Sequence, residues 1–153
     1  MRVEGKLKKD KKTKKLAKRI NAGEIALINH IDLDEVAAKS LVEAKIRLVI
    51  NAAESISGRY PNVGPSILMK ENILIIDNIG MEAFDILNED DEIVVEDGII
   101  YRSDKKIGSG QVMDAKLVVE KTRQAYENLE VELDRFIDNT IEYAKKEKGL
   151  ILG

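Results

Sequence analysis

The chain has 153 residues, of which 44% are hydrophobic, a length and composition typical of one globular domain with an appended element. It has no cysteine, which excludes disulfides, thiolate metal sites and thiol catalysis, and a single histidine, His30, for acid–base chemistry near neutral pH. The apolar runs are strand-sized, and the N-terminus lacks the apolar region of a secretory signal. We therefore expect no transmembrane segment and a cytoplasmic protein.

Charge is unevenly distributed along the chain, whose formal net charge is −3. Residues 1–20 contain ten Lys and Arg and two acidic residues, whereas the rest contains fifteen basic and twenty-six acidic residues. This pattern predicts a basic N-terminal arm or short helix over residues 1–22, which is solvated or bound to an anionic surface. No aromatic residue interrupts the basic run, so nucleic acid is not an expected partner.

Apolar periodicity and turn residues predict alternating helices and strands. A basic helix begins at Thr13 and ends before Gly23. The chain then alternates buried strands with helices and ends in two strands that flank Asp97-Gly98, the strongest signal for a two-residue hairpin. The predicted elements after the basic helix are strand 24–29, a helix to residue 44 capped by Asp32 or Asp34, strand 47–51, helix 66–71, strand 73–77, helix 80–87, and strands 92–96 and 99–102.

This order of elements predicts the α/β fold class, with a body that spans residues 23–108. Helices between successive strands imply right-handed crossovers and a mostly parallel sheet with covered faces, to which the terminal β-hairpin adds an antiparallel part. The helix that ends near residue 44 is expected to turn Val36 and Leu41, among others, towards the sheet.

A long amphipathic helix is predicted for residues 111–148. One stripe of the helix has alternating spacings of three and four over four heptads, at Val112, Ala115, Val119, Thr122, Tyr126, Leu129, Leu133, Phe136, Thr140 and Tyr143. A helix of about 36 residues spans roughly 54 Å, which exceeds the size of a body of about 100 residues. We expect the stripe to pair with a second copy, as a coiled-coil homodimer, or with a further domain; the alternative is a helix that breaks and folds back on the sheet.

The polar loop at residues 55–65 is the most informative segment, because it follows a predicted strand and precedes a helix. Such loops lie at the carboxyl edge of an open α/β sheet, where ligands bind. We interpret the loop as a candidate anion- or ligand-binding site formed by Ser55, Ser57, Gly58, Arg59, Tyr60 and Asn62. The alternative is an ordered turn in which Arg59 pairs with Asp32 or Asp77, since the loop matches no phosphate-binding fingerprint.

His30, Asp32 and Asp34 form a second candidate polar site at the end of a predicted strand. A histidine beside two carboxylates has the composition of a general base or a metal site. The alternative is that the aspartates cap a helix and His30 is a hydrogen-bonded turn residue. No second histidine completes a metal set, and no nucleophile motif accompanies Ser55 or Ser57. We therefore expect no metal, no cofactor and no catalytic residue in this chain.

Three segments carry a resemblance to a known family. They are Asp10–Leu16, Gly23–Asp34 and 55–65, which opens on Ser-Ile-Ser-Gly-Arg-Tyr-Pro-Asn; Asn139-Thr140 and Glu142-Tyr143 agree further. Over essentially its whole length the chain resembles the N-terminal region of the SteA family of bacterial cytokinetic-ring proteins, which are also described as thiamin-pyrophosphokinase-like. Lys12 departs from the arginine expected before Thr13-Lys14, which bears on the role of the basic segment.

The resemblance implies a cytoplasmic role in cell division or cell separation, with recruitment to the division site and a membrane-anchored partner protein. Family proteins are longer and continue, after such a helix, into the pyrophosphokinase-like domain. The Asp- and Gly-rich nucleotide motifs of that domain do not occur here, so the resemblance implies a fragment or shorter protein that acts as a non-catalytic interaction or regulatory domain. It leaves open an anion- or nucleotide-binding domain that contributes to a thiamin-pyrophosphokinase-type enzyme through residues 55–65.

The order of the elements also resembles the swivelling β/β/α domain of phosphoenolpyruvate-utilising enzymes. In that family the polar loop carries a phosphorylated histidine just before its helix. The corresponding residues here, 57–65, contain no histidine, and His30 follows a different strand. This resemblance therefore implies the fold without phosphoryl transfer through that histidine.

Overall fold

The computed structural model describes residues 1–152, which form eight strands and five helices. They are, in chain order, β1 (Arg2–Asp10), α1 (Thr13–Arg19), β2 (Ile25–Ile28), α2 (Glu35–Glu43), β3 (Leu48–Asn51), α3 (Gly64–Lys70), β4 (Leu74–Asp77), α4 (Met81–Ile86), β5 (Glu92–Glu96), β6 (Ile99–Arg102), β7 (Lys105–Ser109), β8 (Gln111–Met113) and α5 (Ala115–Leu152). The helices and strands expected between residues 13 and 102 are present, and their ends differ from the expected ones by a residue or two.

All eight strands belong to one sheet, in the order β7-β6-β5-β1-β2-β3-β4-β8. The pairs β1–β2, β2–β3 and β3–β4 are parallel, and the other four pairs are antiparallel. The α/β fold class is confirmed, but the expectation of a mostly parallel sheet is wrong. Parallel pairing is confined to strands that a helix connects, because the short turns after β5 and β6 can only reverse the chain.

The terminal β-hairpin forms around Asp97-Gly98, as that dipeptide predicts. Both residues have positive φ angles, 50° and 82°, as in the two-residue turns whose twist matches that of the flanking strands. A second turn at Ser103-Asp104, with φ angles of 51° and 64°, adds β7 beyond the expected pair. The sequence interpretation missed β7 because its first residues are lysines and its last ones are glycine and serine, which are poor strand formers.

The N-terminal arm expected over residues 1–22 is wrong for residues 2–10, which are a strand. β1 pairs with β5 in antiparallel and with β2 in parallel orientation, so it lies in the interior of the sheet. Two basic side chains of β1 form ion pairs with acidic residues of the segment 89–96, namely Arg2 with Glu96 and Lys8 with Asp90. This acidic segment offsets the positive charge that suggested a solvated arm. The two segments are remote in sequence, so the charge pattern alone does not show that they pair.

Side chains of the strands alternate between two hydrophobic cores, one on each face of the sheet. One core packs against α1, α2, α3 and the first turns of α5, and the other packs against α4. In β2, Ala26 and Ile28 enter the first core, whereas Ile25 and Leu27 enter the second. Val36 is 69% exposed rather than turned towards the sheet, because the buried side of α2 is formed by Ala37, Ala38 and Leu41.

Residues 111–113 add a short strand, β8, at the edge of the sheet opposite β7, before the long helix begins. There β8 pairs with β4 in antiparallel orientation, so the boundary expected at residue 111 moves to Ala115. Asp114 caps the N-terminus of α5, since its Oδ1 accepts a hydrogen bond from the Leu117 N–H at 2.8 Å. No helix within residues 1–152 combines the length and the apolarity needed to cross a bilayer.

The helix α5 packs against the body through its first turns only. Val118 and Ala125 are buried in the first core. From Glu130 to Lys146, every residue is exposed. The helix of 38 residues is continuous, so the alternative in which it breaks and folds back is not observed. At the rise of an α-helix its length is about 57 Å.

Candidate functional site

The two candidate sites meet where β2, β3 and β4 end, and Asn51 lies at the centre of this edge. The Asn51 side chain is fully buried at the end of β3. Its Oδ1 accepts from the backbone N–H of His30 at 3.1 Å and of Ala53 at 3.0 Å. Its Nδ2 donates to the carbonyl of His30 and to the Ser55 hydroxyl, both at 2.8 Å. The amide is therefore fully satisfied, and it holds the segments after β2 and β3 together.

Ser55 and Asp77 form the buried part of this site. The Ser55 N–H and hydroxyl donate to Asp77 Oδ1 at 3.0 and 2.8 Å, and the two residues are 0% and 1% exposed. Burial raises the pKa of the Asp77 carboxyl, although the hydrogen bonds from Ser55 and the nearby Lys121 ammonium oppose the rise. The predicted ligand contact at Ser55 is thus occupied by protein groups on both sides, the Asn51 amide and the Asp77 carboxylate.

Asp32 joins the segment 30–34 to the loop 55–65. Its carboxylate accepts from the Ser57 N–H at 2.7 Å, from the Ser57 hydroxyl at 2.9 Å and from Asn62 Nδ2 at 3.3 Å. Its backbone N–H donates to the Glu54 carbonyl at 2.9 Å, so that segment 30–34 runs alongside residues 54–55. The sequence treats 30–34 and 55–65 as two candidates, but in the folded chain they are one hydrogen-bonded unit.

Gly64 closes the same unit by a direct backbone contact. A Cβ atom at this position would overlap the carbonyl oxygen of Leu33 and lie 2.7 Å from that of Asp34. Both neighbours are backbone atoms, and the Asp34 carbonyl is held by a hydrogen bond from the Ala38 N–H at 3.1 Å, so they cannot move aside cheaply. Only glycine allows the start of α3 to approach segment 30–34 this closely.

His30 is held at the rim of the site rather than within it. Its Nδ1 shares a hydrogen bond of 2.8 Å with the Thr13 hydroxyl, which comes from α1. Its Nε2 lies 3.8 Å from the Asp34 carboxylate, and Asp34 caps α2 by accepting from the Ala37 N–H at 2.7 Å. Asp32 therefore diverges from the other two residues: it faces the loop 55–65, whereas His30 lies against Thr13 of α1 and near Asp34 at the start of α2.

The remaining predicted residues of the loop are Gly58, Arg59, Tyr60 and Asn62, of which Gly58 contacts α5. The Gly58 carbonyl accepts from Asn128 Nδ2 at 2.6 Å, so the long helix covers this part of the loop. Arg59 and Tyr60 are exposed, and within residues 1–149 Arg59 makes no ion pair with Asp32 or Asp77, its two expected partners. The Asn62 Oδ1 is buried without a hydrogen-bond partner among the described residues.

The geometry favours a self-satisfied polar cluster over an anion cradle. The hydroxyls of Ser55 and Ser57 both donate to carboxylates, so an anion placed beside them would meet Asp77 and Asp32. Catalysis by Ser55 would need access to a hydroxyl that is fully buried. What the arrangement does chemically is to fix the ends of three parallel strands to one loop, through hydrogen bonds to charged acceptors in a setting of low polarity.

Sequence reasoning missed the residues that organise this cluster, above all Asn51. Asp77 was considered only as a partner for Arg59, and Thr13 and Asn128 were not considered. One local signal was available: both β3 and β4 are apolar runs that end on a polar residue, Asn51 and Asp77. A polar side chain at the last position of a buried strand needs a hydrogen-bond partner at the sheet edge.

Comparisons with known proteins establish the fold and nothing finer. No family model matches the chain, and no curated protein is significantly similar to it in sequence. The crystal structure of 3-isopropylmalate dehydratase (leuD) from Methanocaldococcus jannaschii has a similar fold, with a TM-score of 0.52 and 11% sequence identity. The superposition covers 88% of this chain and 99% of that chain. At this level of identity the two chains share an arrangement of helices and strands, and the comparison assigns no activity.

Proposed function

We propose that the chain is a non-catalytic interaction domain of a SteA-like protein of bacterial cell division or cell separation, with a body of the swivelling β/β/α type. Supporting this, the segments that resemble the family, Gly23–Asp34 and 55–65, supply Asp32, Ser55 and Ser57 of the polar cluster. A cluster whose hydroxyls and carboxylates satisfy one another is suited to hold a scaffold rigid rather than to turn over a substrate. The proposal places the protein in the cytoplasm, at the division site, with a membrane-anchored partner.

The observation that carries the interaction role is the exposed apolar stripe of α5. Within the stretch where every residue is exposed, large apolar side chains recur on one side of the helix, with exposures of 51% for Leu133, 67% for Phe136, 51% for Ile137 and 49% for Ile141. Scattered exposed apolar residues are ordinary, but a row at spacings of three and four is typical of the seam along which two helices pair. We propose that this seam pairs with the same seam of a second copy.

The geometry of the helix supports a second copy as the occupant. The body contacts only the first turns of α5, and the helix continues for about five more turns as a projecting rod. In the proposed dimer two such rods pair along their seams, and many of their acidic and basic residues remain outside the contact. Among these are Glu132, Arg135, Glu142 and Lys146, which form ion pairs within the helix.

Sedimentation equilibrium on the full chain tests the pairing, with Leu133→Glu as the disrupting variant and Val131→Glu as its matched control. Val131 is similarly exposed, at 54%, but lies about 160° round the helix from Leu133. We expect the wild type and Val131→Glu to be dimers and Leu133→Glu to be a monomer with unchanged helix content. A monomeric wild type, or equal dissociation of the two variants, would contradict a homodimer through this seam.

The cellular part of the proposal has its own test. A fluorescent fusion of the native protein in its bacterial host should concentrate at the septum, and deletion should delay the separation of daughter cells. The fusion with Leu133→Glu tests whether pairing is needed for that position. Uniform cytoplasmic fluorescence of the wild-type fusion together with normal separation in the deletion strain would contradict a role in division.

A further inference from the structure

A cavity of about 580 Å³ lies at the carboxyl ends of β1 and β2, next to the polar cluster, with which it shares the segment 30–34 but not the loop 55–65. Three segments line it: the turn before α1 and its first residues (11–14), the residues after β2 (29–31), and the first turns of α2. Its volume is in the range of small-molecule sites, and the carboxyl edge of parallel strands is where open α/β sheets bind ligands. A wider cavity, of about 710 Å³, lies on β1, β5 and β6, but charges of both signs line it and none of the predicted site residues does.

The cavity carries a local excess of positive charge. Lys11, Lys12 and Lys14 line it, and among the described residues none of the three makes an ion pair. The basic residues nearby that do make ion pairs, such as Lys8, point to the acidic segment 89–96 instead. Asp34 is the one acidic residue of the lining, and its Oδ1 is already engaged as the cap of α2. Three lysines without carboxylate partners beside a concave surface favour an anion there.

Polar and apolar groups share the walls of the cavity. The hydrogen-bonded pair of Thr13 and His30 lies in the lining, where the imidazole can donate or accept according to its tautomer. The apolar part of the lining includes Ile31 and Val36, which are 59% and 69% exposed. Two exposed aliphatic side chains beside three lysines match a ligand that has a charged part and an apolar or planar part.

We infer that this cavity binds a phosphorylated organic small molecule. The phosphate groups lie against Lys11, Lys12 and Lys14, and the organic part lies against Ile31 and Val36. The concave shape distinguishes this site from a general basic surface, which would also use Lys15 and Lys18, because those two lysines lie on α1 outside the cavity lining. The inference is independent of the helix pairing, which involves the far end of α5.

Calorimetric titration of the full chain with inorganic pyrophosphate and with ADP tests the site. The disrupting variant is Lys12→Glu/Lys14→Glu, at the start of α1, and the control is Lys15→Glu/Lys18→Glu, which makes the same change in net charge farther along α1 and outside the cavity. All four lysines are exposed, so neither variant should impair folding. We expect both probes to bind the wild type, ADP more tightly, with an affinity loss of about tenfold or more in the first variant and less than about threefold in the control.

The apolar wall has a separate readout. Val36→Ser should weaken ADP binding about threefold and leave pyrophosphate binding unchanged, since only the organic part touches that wall. No heat of binding with either probe at millimolar concentration would overturn the inference. Equal losses of affinity in the two lysine variants would also overturn the inference, because they would assign the lysines to a general basic surface. The same conclusion would follow if an RNA oligonucleotide or anionic vesicles bound tightly and both variants abolished that binding. The Leu133→Glu variant should bind both probes normally, which separates this test from that of the dimer.

Discussion

The side-chain amide of Asn51 bonds both the N–H and the carbonyl of His30, at 3.1 and 2.8 Å. The last regular pair of β2 and β3 is Ile28 with Asn51. The Asn51 side chain extends the hydrogen bonding between the two strands beyond that pair, to His30. The same amide reaches the Ser55 hydroxyl, which in turn donates to Asp77 at the end of β4. One asparagine therefore links the ends of three strands.

Replacing that asparagine should be costly. In Asn51→Ala the N–H and carbonyl of His30 and the hydroxyl of Ser55 lose buried partners, so we expect the free energy of unfolding to fall by about 3 kcal/mol. Urea denaturation measures the change. Asn139→Ala, on the exposed part of α5, serves as the control and should change stability by less than about 0.5 kcal/mol. A loss below about 1 kcal/mol in Asn51→Ala would show that water replaces the amide and that the link is dispensable.

The approach of Gly64 to segment 30–34 should tolerate no side chain. In Gly64→Ala the added methyl group meets the backbone carbonyls of Leu33 and Asp34, so we expect destabilisation of about 2 kcal/mol or more. The matched control is Gly149→Ala in α5, where a Cβ meets nothing within 4 Å and helix propensity improves. Thermal unfolding of the two variants distinguishes them. Equal midpoints for wild type and Gly64→Ala would mean that the two segments can separate.

Stability should depend on pH through Asp77. Because burial raises its pKa in the folded chain above the ordinary value of 3.8, the folded state holds this proton more tightly than the unfolded state does. The contribution of Asp77 to stability is therefore greatest at low pH, and it decreases as the pH rises from 3.8 through the raised pKa. Asp77→Asn removes this dependence.

Urea denaturation of wild type and Asp77→Asn at several pH values from 4 to 8 checks the sign. We expect the free energy of unfolding of the variant, relative to wild type, to increase as the pH rises. Asp138→Asn, on the exposed part of α5, controls for the loss of one carboxylate. A relative stability that falls with rising pH would mean that hydrogen bonds from Ser55 outweigh burial and that the pKa of Asp77 is lowered.

The ion pair between Arg102 and Asp91 should act in the opposite direction. Burial raises the pKa of Asp91, but the Asn88 N–H and the guanidinium, 2.7 Å away, outweigh burial and lower it. The pair stabilises the fold above the ordinary pKa of 3.8, and this stabilisation is lost as the pH falls through the lowered value. Because both side chains are partly exposed, Arg102→Met should cost about 1 kcal/mol at pH 7 and less at pH 3.

The exposed pair of Lys39 and Glu35 is the reference for this effect. Lys39→Met removes a partner at 2.6 Å on the surface of α2, and it should change the free energy of unfolding by less than about 0.5 kcal/mol at either pH. If Arg102→Met were as mild as Lys39→Met at pH 7, the link between β6 and the turn before β5 would contribute nothing to stability.

Local pattern was enough to predict most of the helices and strands. Buried strands such as Ile25–Ile28 are short apolar runs between turn residues, and the hairpin around Asp97-Gly98 depends on two residues with positive φ. Of the elements that were missed, β1 is rich in lysine, β7 forms one edge of the sheet, and β8 forms the other edge and is three residues long. Their strand character comes from the neighbours that pair with them, which local periodicity does not contain.

The sequence by itself determined which residues could form a site: a polar loop at 55–65, a histidine with two aspartates at 30–34, and a helix with an apolar stripe. Only the tertiary structure decided their partners. It turned Ser55 to Asp77, Ser57 to Asp32 and His30 to Thr13, and it brought the lysines of residues 11–14 beside His30. The physical reason is that hydrogen bonds and charge pairs act over a few ångströms in space, whereas their members are separated by 17 to 25 residues of chain. Strand order and register set those distances, and both depend on how the whole sheet buries its apolar faces.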